Sequence, residues 1–123
     1  MIMNMLQFDP RKVLANARRS ATEDLLDRVT VFRDGMEPQA VEVIEAELAR
    51  RGVGPEDILR HGKELKHRVL RHADGTVARC GRCQRAAVES VAGHQKLFGL
   101  VPLFPKTLYF CDEHWRQRQA EGP

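Results

Sequence analysis

Cys80-Gly-Arg-Cys83 and, after 27 intervening residues, Cys111-Asp-Glu-His114 are the two stretches whose reading decides the fold of this chain. Together they use all three cysteines and one of the five histidines. A C-x2-C pair followed by C-x2-H is the ligand spacing of a tetrahedral zinc site, where thiolate sulfur and imidazole nitrogen share one ion. Four protein ligands fill that coordination sphere and leave no place for a substrate or an activated water. Zn2+ in a structural role is therefore the expected cofactor. Three thiols are an odd number for a disulfide framework, and a Cys80–Cys83 bridge would close a strained two-residue loop. An iron–sulfur cluster held by three cysteines and a histidine stays open as an alternative. So does His94, between the two pairs, as a rival fourth ligand. Helical register favours His114, which lies three residues after Cys111 and so on the same face of a helix.

Working outward from the cysteines, Asp74-Gly75 marks a turn, Thr76-Val77-Ala78 reads as a strand and Ala86 to Val91 as its return, with Gly81-Arg82 at the tight turn. The stretch 92–107, with Gly93, Gly99, Pro102 and Pro105, reads as an irregular apolar loop that either lines the core or meets a partner. Leu108-Tyr109-Phe110 reads as a third short strand. Cys111 then starts a helix with Asp112 and Glu113 in its first turn, where the dipole favours acids and stabilises a thiolate. Phe110 and Trp115 flank the last ligands and are expected to pack over them.

A knuckle on a turn, strands, a loop, a strand and a helix donating the last two ligands: this order resembles a treble-clef zinc finger over about residues 72–118. His114 in the last place departs from the second C-x2-C that most such fingers carry. The catalytic members of zinc chemistry are not matched. A deaminase needs H-x-E before P-C-x-x-C, and neither is present. The paired histidines and asparagine of an HNH nuclease, which shares the treble-clef frame, are missing too. The chain is expected not to be an enzyme.

Upstream, the sequence punctuates itself as helices. Asp9-Pro10 caps and opens RKVLANARR, and Ser20 with Glu23 has the spacing of a capping box ahead of ATEDLLDRVTVFR. Pro38 opens QAVEVIEAELARR, whose Val41, Ile44 and Leu48 share a face, and Gly52 stands just past its end. Gly54-Pro55 starts a fourth segment through Ile58, Leu59, Leu65, Val69 and Leu70. Within this half, Thr22-Glu-Asp-Leu-Leu-Asp27 and Met36-Glu-Pro-Gln-Ala-Val through Arg51-Gly-Val53 resemble a segment of many small uncharacterised bacterial proteins. Gln39 stands where Glu is usual there. The resemblance covers about residues 20–53 and implies a helical hairpin with no established activity.

The expected fold is thus α+β: an N-terminal helical hairpin or bundle of about four short helices, residues 1–72, and a zinc-finger segment, residues 73–123, in one compact body. The finger half has few large apolar residues away from its cysteines, so a metal should hold it together. The opening MIMNMLQF is apolar but lacks a basic leader and stops at Asp9-Pro10, and no stretch approaches a membrane span. A reducing, cytoplasmic location and no membrane partner are expected. Net charge divides the chain. Residues 1–59 carry eight Lys/Arg against eleven Asp/Glu, and residues 60–123 twelve against six. No small-molecule site is evident, so the expected role is a protein-interaction or adaptor module. The alternative is nucleic-acid binding through the basic stretch 60–85, with Lys63, Lys66, Arg68, Arg71, Arg79 and Arg82 as phosphate contacts. His61, His67 and His72 lack metal-pair spacing and are expected at the surface.

Overall fold

The computed structural model describes the backbone of residues 9–97 and 101–121 and, of these, the side chains of 9–92 and 106–121. The opening MIMNMLQF and the middle of the apolar stretch, 98–100, lie outside the described residues, as do the side chains of His94 and the rest of 93–105. The chain divides into two compact units, Met1–His67 and Arg68–Pro123. Among the described residues no helix is long and apolar enough to cross a membrane.

Among the described residues the first unit holds four α-helices: α1 (Pro10–Arg19), α2 (Thr22–Arg28), α3 (Pro38–Arg50) and α4 (Pro55–Lys66). Asp9 caps α1 by accepting the Arg11 N–H at 3.0 Å, ahead of a proline whose missing N–H costs nothing there. α3 ends with two backbone bonds, Gly52 N–H to Ala49 O at 3.0 Å and Val53 N–H to Leu48 O at 2.8 Å. That pattern needs a left-handed residue, and Gly52 supplies it at φ +87°. α1 and α2 pack on α3, and α4 on α2. Their shared core is Ala17, Leu25, Val29, Val41, Ile44 and Leu48, with Val13, Met36, Val53 and Ile58 against it.

Two local expectations fail here. Ser20 caps no helix start: it closes α1, its hydroxyl donating to Asn16 O at 2.8 Å, and α2 begins only at Thr22. The capping-box spacing is lost once the N-cap moves one residue on, to Ala21. The second helix is also shorter than its apolar stripe suggests, stopping at Arg28. Thr30 turns its hydroxyl onto Leu26 O at 2.6 Å, and the β-branched Val29-Thr30-Val31 run favours unwinding.

One guanidinium ties three helices. Arg51 donates to Glu47 at 2.7 Å, to Thr22 Oγ1 at 3.1 Å and to the α1 carbonyls of Ala17 and Arg18 at 2.9 and 3.3 Å. Those carbonyls lie in the last turn of α1, where Ala17 O also accepts the Ser20 N–H at 3.1 Å. Buried Glu47 also accepts two bonds from Arg50, and Arg50 first, then Arg51, hold its carboxyl down at about 2.

The second unit holds an antiparallel pair, β1 (Glu89–Leu97) and β2 (Val101–Phe110), and helix α5 (Asp112–Glu121) against β2. The strands run through most of the stretch expected to be an irregular loop. The prolines mislead, because a two-stranded ribbon has only edges and an edge accepts proline where the missing N–H points away. A register shift between Gln95 and Lys96 places Pro105 opposite His94 and Pro102 opposite Lys96. These partners are two residues apart, so both prolines occupy the same phase of the ladder. Conversely, the strand expected at Thr76–Ala78 is reduced to isolated bridges, Arg71 with Val77 and Arg79 with Ala86. Backbone bonds still knit this region: Ala78 N–H to Leu70 O, Leu70 N–H to Ala87 O and Ala87 N–H to Ala78 O, all 2.8–2.9 Å.

Candidate metal centre

Each ligand is placed by a local structure that the sequence dictates. Cys80 and Cys83 bracket the turn between Arg79 and Ala86, whose bridge brings the chain back on itself. In that turn the Arg82 N–H points at Cys80 Sγ and the Arg85 N–H at Cys83 Sγ, each at 3.4 Å. Cys111 stands between the end of β2 and the start of α5, and the His114 N–H in the first turn of α5 points back at Cys111 Sγ at 3.5 Å. Gly81 N–H donates to Tyr109 O at 2.9 Å, which draws the turn to the end of β2.

The four side chains converge. Their ligand atoms all lie within 4.8 Å of one another. With zinc–sulfur bonds of about 2.3 Å and zinc–nitrogen bonds of about 2.0–2.1 Å, a tetrahedron has S···S edges of about 3.8 Å and S···N edges of about 3.6 Å. Cys83 Sγ lies 3.7 Å from Cys111 Sγ, and His114 Nδ1 lies 3.4 Å from Cys80 Sγ and 3.3 Å from Cys111 Sγ. These separations fit one small ion at the centre. They exceed any S–S bond, and all three cysteines are free. Among the described residues the candidate fourth donor is His114, through Nδ1; His94 stands on β1 opposite Pro105, its side chain outside the described residues.

The electrostatics agree with a cation. Burial works against a charge on Cys80, but amide donation from Cys111, Arg82 and Cys83 outweighs it and brings this thiol down to about 7. Burial pushes Cys83 up to about 12, with Cys111 and Cys80 adding to the rise. Cys111 is raised as well, by burial first and by Cys80 beside it. One thiolate can therefore exist in this pocket unaided. Three need a positive charge among them.

Around the ligands, Phe110 is buried with its ring 5.7 Å from that of Trp115, and the guanidiniums of Arg82 and Arg118 lie over its face at 5.5 and 5.3 Å. The remaining buried apolar side chains of the described part of this unit are three alanines, 78, 86 and 87.

No family model matches this chain. No curated protein and no solved structure matches it either. The metal centre thus stands on its own geometry.

The residues expected to contact phosphates fall in both units of the chain. Lys63 and Lys66 are exposed on α4 of the first unit, whereas Arg68, Arg71, Arg79 and Arg82 belong to the second. There Arg71 donates to Gly75 O at 3.0 Å and Arg79 to Gln84 O at 3.2 Å. Arg68 lies 4.0 Å from Asp112, and Arg82 lies 3.9 Å from Glu121. His61 departs from the surface role expected of it: its Nε2, from α4, meets Oδ1 of Asp27 on α2 at 2.6 Å, and Asp27 is buried. Nothing in the sequence signals this pair, whose members are 34 positions apart. His67 and His72 are exposed, and His72 sets its ring edge-on against Tyr109.

Proposed function

We propose that this protein is a small non-catalytic zinc-binding module, with the metal structural and the helical unit and finger presenting a surface to a protein partner. The observation that carries this reading is the closed set of Cys80, Cys83, Cys111 and His114, with donors at tetrahedral separations. Zinc suits three sulfurs and one nitrogen in this geometry. A turn bearing two ligands, a β-hairpin and a helix bearing the other two is the element order of a treble-clef finger, and the order of elements from Arg79 to Glu121 supports that assignment. With four protein donors the ion has no open position, so neither Lewis-acid activation of a substrate nor a bound hydroxide is part of the proposal.

Nucleic-acid binding is the competing reading. The excess of Lys/Arg in residues 60–123 supports it. The guanidiniums of Arg71 and Arg79 already donate to the carbonyls of Gly75 and Gln84, which speaks against it. Elemental analysis of the chain purified without added metal tests the centre and should give one zinc per chain. Cys111→Ser and His114→Ala should each lose it, and a wild-type chain free of zinc would overturn the proposal. Capture of partners with and without nuclease separates the two binding readings: a nuclease-resistant protein partner supports the first, and nuclease-sensitive recovery the second.

A further inference from the structure

Arg85 is bonded to both halves of the ligand set. Its N–H points at Cys83 Sγ at 3.4 Å, and its carbonyl accepts the Cys80 N–H at 2.9 Å. Its guanidinium Nη1 reaches across to Asp112 Oδ1 at 3.1 Å. Asp112 is the first residue of α5 and sits between Cys111 and His114. One residue therefore fixes the turn carrying the first ligand pair and pins it to the helix carrying the second. The side chains of Arg85 and Asp112 are 12% and 37% exposed, so this ion pair is less open to solvent than the Arg82–Glu121 contact at 3.9 Å, whose side chains are 40% and 63% exposed. Arg68 adds a second cation 4.0 Å from the other oxygen of Asp112.

We propose that the Arg85–Asp112 pair is a clasp that positions the two ligand pairs for the metal, setting how tightly and how long zinc is held. The proposal rests on the zinc-binding reading of the four ligands. Its physical basis is that ligands joined by two separate chain segments must be brought together at each binding event. A side-chain link between the segments makes that approach before the ion arrives. Without the clasp all four donors remain, but the turn and the helix start move apart more readily. The expected cost is of the size found when an outer partner of a metal ligand is removed, a loss of about 10–100-fold in affinity.

The test uses the full zinc-loaded chain, with zinc dissociation constants from competition with a chromophoric chelator and release rates from transfer to excess chelator. Asp112→Asn keeps the shape of the side chain and removes its charge; Arg85→Gln removes the other partner. Each should weaken zinc about 10–100-fold and speed its release, and the double variant should be no weaker than the worse single one. Arg60→Gln, at the exposed Arg60–Asp57 pair on α4, should stay within about twofold of wild type. Asp112 also lies in the first turn of α5, where its charge favours the helix; that effect alone would cost the same whether or not Arg85 is present. Losses that add in the double variant, or single variants indistinguishable from wild type, overturn the clasp. A wild-type chain that binds no zinc overturns the metal reading beneath it instead. Should Arg85→Gln fail to load, Arg85→Met, which keeps the apolar stem, takes its place in the same double-variant comparison.

Discussion

Lowering the pH from 8 to 7 should loosen the metal by an amount that follows from the state of the three thiols. Cys83 is pushed up to about 12 and Cys111 is raised, so both carry protons across this range in the metal-free pocket. Cys80, brought down to about 7, is half protonated at pH 7 and mostly thiolate at pH 8. Zinc binds thiolates only, so two protons leave from Cys83 and Cys111 at either pH, with about half a proton more from Cys80 at pH 7. Integrated over the interval, the apparent affinity should fall about 200-fold, which is about 3 kcal/mol. The sign is fixed because proton and metal compete for the same sulfurs: affinity rises with pH. Chelator competition at the two pH values measures the ratio, and calorimetry in buffers of differing ionisation enthalpy counts the protons released. A change smaller than tenfold, or release of fewer than one proton per zinc at pH 7, would show that the pocket holds its thiolates ready-made and refute the reasoning.

Three further outcomes concern the helical unit. Leu48→Ala empties a fully buried position in the α1–α3 core and should cost about 2–5 kcal/mol in denaturant unfolding, leaving zinc stoichiometry unchanged. Gly52→Ala meets no neighbouring atom but forces a left-handed backbone on a residue with a Cβ, and a loss of about 1–2 kcal/mol by the same assay is expected. Glu47→Gln should destabilise most at neutral pH and least in acid. The Glu47 carboxyl is held at about 2, so the stability it contributes is present above the usual carboxylate range and disappears as the pH falls towards 2. A wild-type-to-variant gap that does not narrow in acid urea titrations would remove Glu47 from that role.

The features legible in the sequence are those in which one residue type is tied to one local task. Asp9-Pro10 and Pro38 at helix starts, Gly52 past a helix end and the spacing of the four ligands are of this kind, because backbone geometry or coordination chemistry leaves few substitutes. The features that escaped depend on pairing across distance. Strand β2 was hidden by Pro102 and Pro105, since only the register against His94 and Lys96 shows that both suit an edge. The Asp27–His61 and Arg85–Asp112 contacts join positions 34 and 27 residues apart and leave no periodic trace. Ser20 shows the opposite error, a valid local pattern overruled when its hydroxyl found the carbonyl of Asn16.

The spacing between the ligand pairs has a consequence for how this chain can vary. The 27 residues from Gln84 to Phe110 run from one ligand pair to the other, so bound metal closes a ring whose circumference is mostly hairpin. Loop closure grows only with the logarithm of length, and even doubling such a ring costs about 0.6 kcal/mol. Residues added between Leu97 and Val101 lengthen the ring without changing the pairing from Glu89 to Phe110. A residue added or removed between Cys111 and His114 would turn the imidazole by about 100° around the helix, away from the ion. The same protein is thus indifferent to length at one end of its finger and intolerant of a single insertion at the other.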